Sequence, residues 1–336
     1  MGLRVACLGA GYFSQFHIGS WQRIAQVDLV GVCDLDIEKA KATGIQGFPD
    51  LSAMLEQTKP DLLDIILPPV GHADAIQAAV AAGIKTIICQ KPFCTSLEEA
   101  QQMTALADAA GCTLVIHENF RFQPWYRFIK AQLDAGLIGE VVQATFRLRP
   151  GDGQGADAYL DRQPYFRDMP QLLIHETGVH LIDVFRYLLG NATHVYADLR
   201  KVNPVISGED AGIVVFEHAH GARAIFDGNR CLDHAADNTR RTMGEGLIEG
   251  TKGTLTLSGD GAVTFRAFGD VCRRVILAAD THDGFGGDCT HALQSHVVAG
   301  VLHDAKLENL AVDYLHVIIA EKVIYQSAQD ARKVAI

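Results

Sequence analysis

Apolar and polar positions over the first 34 residues predict a strand, a turn, a helix and a second strand. The apolar runs Leu3–Leu8 and Val27–Cys33 have the length of buried strands, and the segment Gln15–Ala25 between them is helix-like. The turn Gly9-Ala10-Gly11 joins the first strand to the helix, and Asp34 follows the second strand. A strand, a glycine turn, a helix and a strand ending in a carboxylate form the dinucleotide-binding βαβ unit.

Each residue of this turn has a physical role in such a unit. Gly9 permits the tight turn, Gly11 lets the backbone approach a pyrophosphate, and the helix N-terminus offers unpaired N–H groups to it. Asp34 would accept hydrogen bonds from adenosine ribose hydroxyls and repel a 2′-phosphate, which favours NAD over NADP. Ser14 stands where a third glycine is usual, and its small side chain is compatible with close helix–strand packing.

Strands and helices continue to alternate up to about residue 120, which predicts a parallel, doubly wound sheet. The predicted elements are the strands Asp61–Leu67, Lys85–Cys89 and Thr113–Ile116 and the helices Ala73–Ala82 and Thr95–Ala110. Ser96 and Glu99 have the spacing of a capping box at the start of the second helix.

The regular alternation of strands and helices ends after residue 120, where short strands with alternating apolar and polar residues dominate. The predicted elements are a helix at Trp125–Ala135, a strand at Val141–Leu148, a long polar loop at 150–171, a helix at Leu172–Leu189, strands over 193–274, and helices at Thr290–Leu302 and Val312–Ala328. We therefore predict an α/β protein with two domains. Residues 1–120 form a Rossmann domain with a doubly wound parallel sheet, and residues 121–336 form an α/β domain with a large open, mainly antiparallel sheet.

The composition and net charge of the chain limit the classes of partner that it is expected to bind. The 336 residues are 48% hydrophobic and carry 29 basic and 40 acidic side chains, a net charge of −11, without a basic block. We therefore expect no nucleic acid partner and no membrane association. The first strand begins at once, without room for a signal peptide, and the eight cysteines form no CxxC pair, which favours reduced thiols in the cytoplasm. A redox pair of Cys89 and Cys94 is the alternative.

Two segments at strand ends carry candidate chemistry. Cys89-Gln90-Lys91-Pro92-Phe93 follows a predicted parallel strand, and ligands of open α/β sheets bind just beyond such ends. An ammonium there can hydrogen-bond a substrate hydroxyl or relay its proton, although a solvated surface lysine remains the alternative. Leu67-Pro68-Pro69-Val70-Gly71-His72 also follows a strand, and its proline turn could lie against a ribose.

A third segment, Leu173–Asp183, combines histidine and carboxylates on one predicted helix. Glu176 and His180 are four residues apart and share a face, with Asp183 three residues further on. An imidazole suits abstraction of an alcohol proton, and a neighbouring carboxylate can orient it. His175 and His180 are five residues apart, so they do not form a zinc-binding helix pair, and we expect no metal. A hydrogen-bonded core histidine is the alternative for His180.

Together these motifs resemble the glucose–fructose oxidoreductase, inositol dehydrogenase and rhizopine-catabolism family (Gfo/Idh/MocA) over essentially the full length. The motifs are Gly9-Ala10-Gly11-Tyr12-Phe13, Asp34, Leu67-Pro68-Pro69-Val70-Gly71-His72, Gln90-Lys91-Pro92, Asn119-Phe120-Arg121-Phe122-Gln123-Pro124 and Glu176-Thr177-Gly178-Val179-His180-Leu181-Ile182-Asp183. The resemblance implies oxidation of a secondary alcohol, often on a sugar or cyclitol, by hydride transfer to nicotinamide. It also implies a homodimer or homotetramer formed through the C-terminal sheet.

The resemblance also implies roles for individual residues. Lys91 and His180 would be the acid–base pair, converging on one bound nicotinamide ring, with Glu176 orienting one of them. The implied cofactor-binding residues are Gly9, Gly11, Tyr12, Phe13, Asp34, Leu67, Pro68, His72, Gln90 and Lys91. Asn119, Arg121 and His175 are further candidates for substrate binding. In the polar loop, Tyr159, Arg162, Tyr165 and Arg167 could hold substrate hydroxyls or carboxylates, with an ordinary solvated or interface loop as the alternative for each. Asp227-Gly228-Asn229-Arg230 and Asp237 would border the site.

Three departures from the family pattern keep alternatives open. Gln90 replaces a glutamate, Glu176 replaces an aspartate, and Met169-Pro170-Gln171 stands where a glycine-rich turn is common. A non-catalytic dinucleotide-binding regulator with the same fold, and an enzyme that uses NADP, are the alternative functions.

Overall fold

The structure is a computed structural model that describes residues 2–282 and 284–336, and it divides into two compact units. The first unit comprises the residues up to Asn119 together with Thr290–Leu315. The second comprises Phe120–Cys289 and His316–Ile336. The single boundary predicted at residue 120 therefore does not describe Thr290–Leu315, which return to the first unit.

The secondary structure follows the predicted blocks closely. The strands are β1 Leu3–Leu8, β2 Val27–Cys33, β3 Gly47–Phe48, β4 Leu62–Ile65, β5 Thr86–Gln90, β6 Thr113–His117, β7 Val141–Leu148, β8 Ala192–Arg200, β9 Ala211–His218, β10 Arg223–Asn229, β11 Gly244–Gly250, β12 Gly253–Leu257, β13 Val263–Ala267, β14 Arg274–Leu277 and β15 Val334–Ala335. The helices are α1 Ser14–Trp21, α2 Ile37–Ala42, α3 Leu51–Thr58, α4 His72–Ala81, α5 Leu97–Ala109, α6 Pro124–Asp134, α7 Val179–Leu189, α8 Cys289–His303 and α9 Ala311–Asp330.

The first unit contains, over its described residues, a six-stranded parallel sheet in the order β3-β2-β1-β4-β5-β6. Consecutive residues of the central strands are buried, as Val5, Ala6 and Cys7 show, because helices cover both faces of such a sheet. The predicted Rossmann fold is confirmed. Its strand ends carry the glycine turn, Asp34 and Lys91 at one edge of the sheet, since parallel strands end on the same side.

The second unit contains, within the described chain, a nine-stranded sheet in the order β14-β13-β12-β11-β7-β10-β9-β8-β15. Its pairs are antiparallel except for β7 and β10, so the predicted open, mainly antiparallel sheet is confirmed. Burial alternates along the strands: Ala144, Phe146 and Leu148 of β7 face the core. The residues between them lie on the other face, as expected for a sheet covered on one side.

The helix predicted over Leu172–Leu189 consists of two parts. Leu173–Gly178 is a π-helical turn, and regular α-helix begins only at Val179. The α-helical spacing used to place Glu176 and His180 on one face therefore does not apply, because the wider turn changes the angle per residue. Single π-helical turns occur frequently at functional sites.

A search of the described residues finds no helix with both the length and the apolar character needed to cross a bilayer.

Candidate functional site

The glycine turn after β1 has the geometry that a dinucleotide needs. Gly9 has φ +108°, and a Cβ at this position would lie 2.5 Å from the Ile66 carbonyl oxygen, so only glycine fits. At Gly11, by contrast, no described heavy atom lies within 4 Å of where a Cβ would stand. The open space at Gly11 leaves the backbone accessible to a pyrophosphate.

Ser14 closes this turn in place of the third glycine. It begins α1, is 3% exposed, and its hydroxyl donates a hydrogen bond to the Gly11 carbonyl oxygen at 2.6 Å. The small side chain therefore both fits the close packing and anchors the turn.

Asp34 connects the glycine turn to the end of β2. One carboxylate oxygen accepts a hydrogen bond from the Ala10 backbone N–H at 2.8 Å, and the other accepts one from Asp36 at 2.9 Å. Each oxygen retains further lone pairs, so the carboxylate can still accept hydrogen bonds from ribose hydroxyls. These residues fit an NAD-type dinucleotide.

His72 fixes the turn after β4 and does not offer a ring nitrogen to a cofactor. Its Nε2 lies 2.8 Å from the Leu67 carbonyl oxygen, and its Nδ1 accepts a hydrogen bond from the Cys94 backbone N–H at 3.4 Å. Burial lowers the pKa of His72 below its ordinary value, so the ring is neutral near pH 7. The ring thus connects Leu67 to Cys94, and the cofactor contact expected for His72 stays a prediction. Pro68 is exposed within the same turn.

Lys91 lies directly after β5 and is held through its backbone. Its N–H donates a hydrogen bond to the Gln90 side-chain oxygen at 2.8 Å, and the Lys91–Pro92 peptide is cis. Gln90 is 8% exposed, and its side-chain nitrogen lies 3.0 Å from Nε2 of His17. The Gln90 amide therefore connects His17 to the Lys91 backbone, and the cofactor contact expected for Gln90 stays a prediction.

In the second unit, His180 lies in the first turn of α7 with its ring fixed by stacking. The imidazole lies parallel to the Phe120 ring, with a centroid distance of 3.9 Å and an interplanar angle of 3°. His180 is 7% exposed. The stack fixes the plane of the imidazole, which is the geometric requirement for directional proton transfer.

Asp183 forms a buried ion pair that anchors α7. Its two carboxylate oxygens accept hydrogen bonds from Nε and one terminal nitrogen of Arg121 at 2.7 and 2.5 Å, and a further hydrogen bond comes from Arg186 at 3.3 Å. Arg121 directly follows Phe120, so this pair also fixes the segment that stacks on His180. Arg121 therefore has an internal role in the second unit, and the substrate contact expected for it stays a prediction.

His175 is bonded to the C-terminal helix. Its Nδ1 lies 2.6 Å from a carboxylate oxygen of Glu321 in α9, and its backbone N–H donates to the Tyr325 hydroxyl at 3.2 Å. Tyr325 in turn donates to Glu209 at 2.6 Å. These contacts hold the π-helical turn that carries Glu176, which is half-buried.

The polar loop 150–171 folds around the fully buried Arg230. The guanidinium donates to the Tyr159 hydroxyl at 2.6 Å, to Thr177 at 2.5 Å and to Asp152 at 2.8 Å. Arg162 also donates to Asp152 at 3.2 Å. Tyr159 therefore belongs to an internal polar cluster, and the substrate contact expected for it stays a prediction.

The other predicted substrate residues differ in accessibility. Tyr165 is 58% exposed, Arg167 is half-buried, and Asn119 is 2% exposed with its amide donating to Thr290 at 3.4 Å. Burial, followed by the charge of Glu176, raises the pKa of Tyr165, so its hydroxyl is neutral near pH 7. Tyr165 is thus an exposed candidate that interacts electrostatically with Glu176.

Comparison with known proteins identifies matching family models in both units. Residues 3–118 match the GFO_IDH_MocA model, described as "Oxidoreductase family, NAD-binding Rossmann fold". Residues 126–256 match the GFO/IDH/MocA C-terminal domain.

Individual relatives agree with these models. The chain is 32% identical to D-apiose dehydrogenase of Paraburkholderia graminis over 261 residues, which cover 76% of this chain and 67% of that protein. It is 26% identical to inositol 2-dehydrogenase of Rhizobium meliloti, with 100% of both chains covered. Its fold matches an oxidoreductase from Agrobacterium radiobacter, solved in complex with NAD+, L-tartaric acid and magnesium, with a TM-score of 0.90 and 25% identity over 100% of this chain and 98% of that one.

Proposed function

Because the chain belongs to the Gfo/Idh/MocA family of NAD-binding oxidoreductases, we propose that it is a dehydrogenase acting on a secondary hydroxyl of a sugar, inositol or related polyol. Bound nicotinamide would supply the hydride acceptor. The observation that carries the proposal lies in the first unit. Lys91 follows β5 at the same edge of the parallel sheet as Gly11 and Asp34, where open α/β sheets bind ligands.

The proposed acid–base chemistry assigns one role to each polar group. His180 accepts the hydroxyl proton of the substrate, and the stack on Phe120 holds the imidazole plane for this transfer. The Lys91 ammonium stabilises the negative charge that develops on the substrate oxygen. Glu176 orients one of these two groups.

The experiment follows absorbance at 340 nm with NAD and a panel that includes D-apiose, inositols, other sugars and hydroxy acids. For a substrate that reacts, Lys91→Ala and His180→Asn should each lower kcat by about 10²–10⁴, the usual contribution of a positioned acid–base group. Lys85→Ala and His220→Asn, at exposed positions, are matched controls. Turnover that either active-site variant leaves unchanged would remove that residue from the mechanism. NAD binding without turnover of any substrate would favour a regulator.

We also propose that NAD is preferred over NADP because of Asp34. Asp34→Ser should reduce the ratio of kcat/KM for NAD to that for NADP by about 10- to 100-fold, since hydrogen bonds to a charged acceptor contribute about 1.5–3 kcal/mol. Asp28→Ser, at the exposed N-terminal part of β2, is the control. An NADP preference in the unmodified protein would contradict this assignment.

The open face of the second sheet supports a homodimer or homotetramer. An uncharged row crosses eight strands in register: Tyr196, Val215, Ile225, Thr145, Leu247, Thr256, Thr264 and Val275. Charged residues of both signs, including Asp227 and Arg147 on one side, flank this row. Such a surface is self-complementary under two-fold symmetry. Ile225→Lys should yield monomers in sedimentation velocity, whereas Asp74→Lys, at an exposed position in α4 of the first unit, should not.

The cytoplasm is the proposed compartment, because all eight cysteines are free and seven of them are buried. Burial raises the pKa of both Cys89 and Cys94, the latter to about 12, so neither thiol is a reactive thiolate near pH 7.

A further inference from the structure

The interior of the first unit contains a buried carboxylate that is connected to Lys91 by hydrogen bonds. Asp64, in β4, is fully buried, and one of its oxygens lies 2.8 Å from Nδ1 of His17. The same oxygen accepts hydrogen bonds from Trp21 at 2.7 Å and Gln294 at 3.3 Å. His17 is also fully buried, and its Nε2 lies 3.0 Å from the side-chain nitrogen of Gln90.

The chemistry of these groups determines where each proton lies. An ionised carboxylate only accepts hydrogen bonds, so Nδ1 of His17 carries the proton that is donated to Asp64. In a neutral imidazole the other nitrogen then accepts, and Gln90 must direct its NH2 group toward it. The Gln90 oxygen is therefore directed at the Lys91 backbone N–H, which it meets at 2.8 Å. Asp64, His17 and Gln90 form a hydrogen-bond chain with one consistent direction.

This direction explains why residue 90 is glutamine. A glutamate there would place an oxygen against the Nε2 lone pair of His17. Reversing the tautomer would instead place a lone pair against Asp64. A glutamate would need one additional proton, either on its own carboxyl group or on Nε2 of His17, whereas glutamine supplies the donor itself.

The Gln90 side-chain oxygen accepts the hydrogen bond of the Lys91 backbone N–H at the point where β5 ends. Lys91 lies just beyond β5, and the next residue, Pro92, has no backbone N–H. The side chain of Gln90 thus fixes the N–H at the point where the chain leaves the sheet. From there the Lys91 side chain extends.

We propose that Asp64, His17 and Gln90 are positioning residues that orient the Lys91 ammonium through its backbone. The proposal rests on the proposed function, because it assumes that Lys91 acts on the substrate. The alternative is that the chain only satisfies buried polar groups and stabilises the fold.

The kinetic test compares Gln90→Met, which keeps the length of the side chain and removes both hydrogen bonds, with Gln22→Met at an exposed position. We expect Gln90→Met to lower kcat by about 10- to 100-fold, the range typical of groups that orient a functional residue, with little change in KM for NAD. His17→Gln combined with Gln90→Met should slow the enzyme no further than the more severe single change, because both act through one chain. A purely structural role predicts lower thermal stability at unchanged kcat, or additive effects, and either result would overturn the proposal.

Failure of the proposed function gives a different result. If Lys91→Ala is fully active, the assumed role of Lys91 is wrong. If Lys91→Ala is slow and Gln90→Met is not, only the positioning proposal fails.

A second measurement needs neither turnover nor a substitution at Gln90. In 15N NMR of the histidine-labelled protein, the resonances that disappear in His17→Gln should be those of a neutral ring protonated at Nδ1. A ring protonated at Nε2, or at both nitrogens, would overturn the proposal even if the Gln90 variant does not fold.

Discussion

Lys91 in the first unit and His180 in the second are held in place by different kinds of interaction. Lys91 is fixed through its backbone N–H by Gln90, within a run of polar groups that begins at a fully buried carboxylate. His180 is fixed through its ring by Phe120, and its helix is held by an arginine–aspartate pair. Hydrogen bonds specify individual atoms and protons, whereas a ring stack specifies only a plane.

This difference has consequences for substitution. Near Lys91, replacing Gln90 by glutamate leaves the side-chain volume almost unchanged but turns a hydrogen-bond donor into an acceptor. In the surroundings of His180, shape decides, so a change of volume should matter more than a change of polarity.

The largest effect is expected from breaking the Arg121–Asp183 ion pair, which anchors the helix that carries His180. Arg121→Met removes two hydrogen bonds from the buried Asp183, which keeps the one from Arg186, and loss of one partner of a buried pair costs about 3–5 kcal/mol. Denaturant unfolding should show this loss, and kcat should fall because Phe120 moves with its neighbour. Arg200→Met, in an exposed pair with Asp198, should change the free energy of unfolding little. Equal effects of the two substitutions would contradict the assignment.

A smaller effect is expected from changing the ring that stacks on His180. Phe120→Leu keeps an apolar side chain but removes the parallel ring, so kcat should fall about tenfold, equivalent to ~1.4 kcal/mol in the barrier. Phe120→Tyr keeps the ring and should retain most of the activity. Stopped-flow absorbance of the hydride-transfer step measures both. If Leu and Tyr behave alike, the stack does not orient His180.

The smallest effect is a pH dependence of the free energy of unfolding that arises from His72, which connects Leu67 to Cys94. Burial lowers the pKa of His72 below its ordinary value of about 6.5. Below that pH the unfolded chain binds a proton that the folded chain does not, so the free energy of unfolding decreases as pH falls. Thermal unfolding between pH 7.5 and pH 5 should show this slope, and His72→Gln should reduce it. If His72→Gln leaves this slope unchanged, the pH dependence comes from another group.

In the second unit, burial lowers the pKa of His218 as well, which contributes a slope of the same sign. His218→Gln therefore provides the matched comparison, and exposed His220→Gln should leave the slope unchanged.

The strands and the fold class could be predicted because their signals are local. The strands β1, β2 and β7 coincide with their predicted bounds, since each is an apolar or alternating run ended by a turn. The short helices α2 and α3 have no long periodic pattern, and the preceding residues Asp36 and Asp50 cap them by accepting backbone hydrogen bonds. The π-helical turn before α7 has no periodic signal either.

The site was predictable in its motifs but not in its contacts. The sequence places Arg121 and Tyr159 as polar groups in a predicted substrate region, yet their partners Asp183 and Arg230 lie 62 and 71 residues away. His17 lies on the buried face of α1, which also carries the polar residues Ser14 and Ser20, so its burial was not evident from the sequence. Nothing in the sequence alone indicates that Asp64 and Gln90 are its partners.

The return of Thr290–Leu315 to the first unit has a practical consequence for dissecting the protein. Within that stretch, Gln294 donates to Asp64, and Tyr314 donates to Glu118 at 3.2 Å, with both acceptors fully buried. A fragment cut after Asn119 would leave these two carboxylates without those donors. The first unit therefore cannot be transferred as residues 1–119 alone, and chimeras that exchange it must also carry Thr290–Leu315.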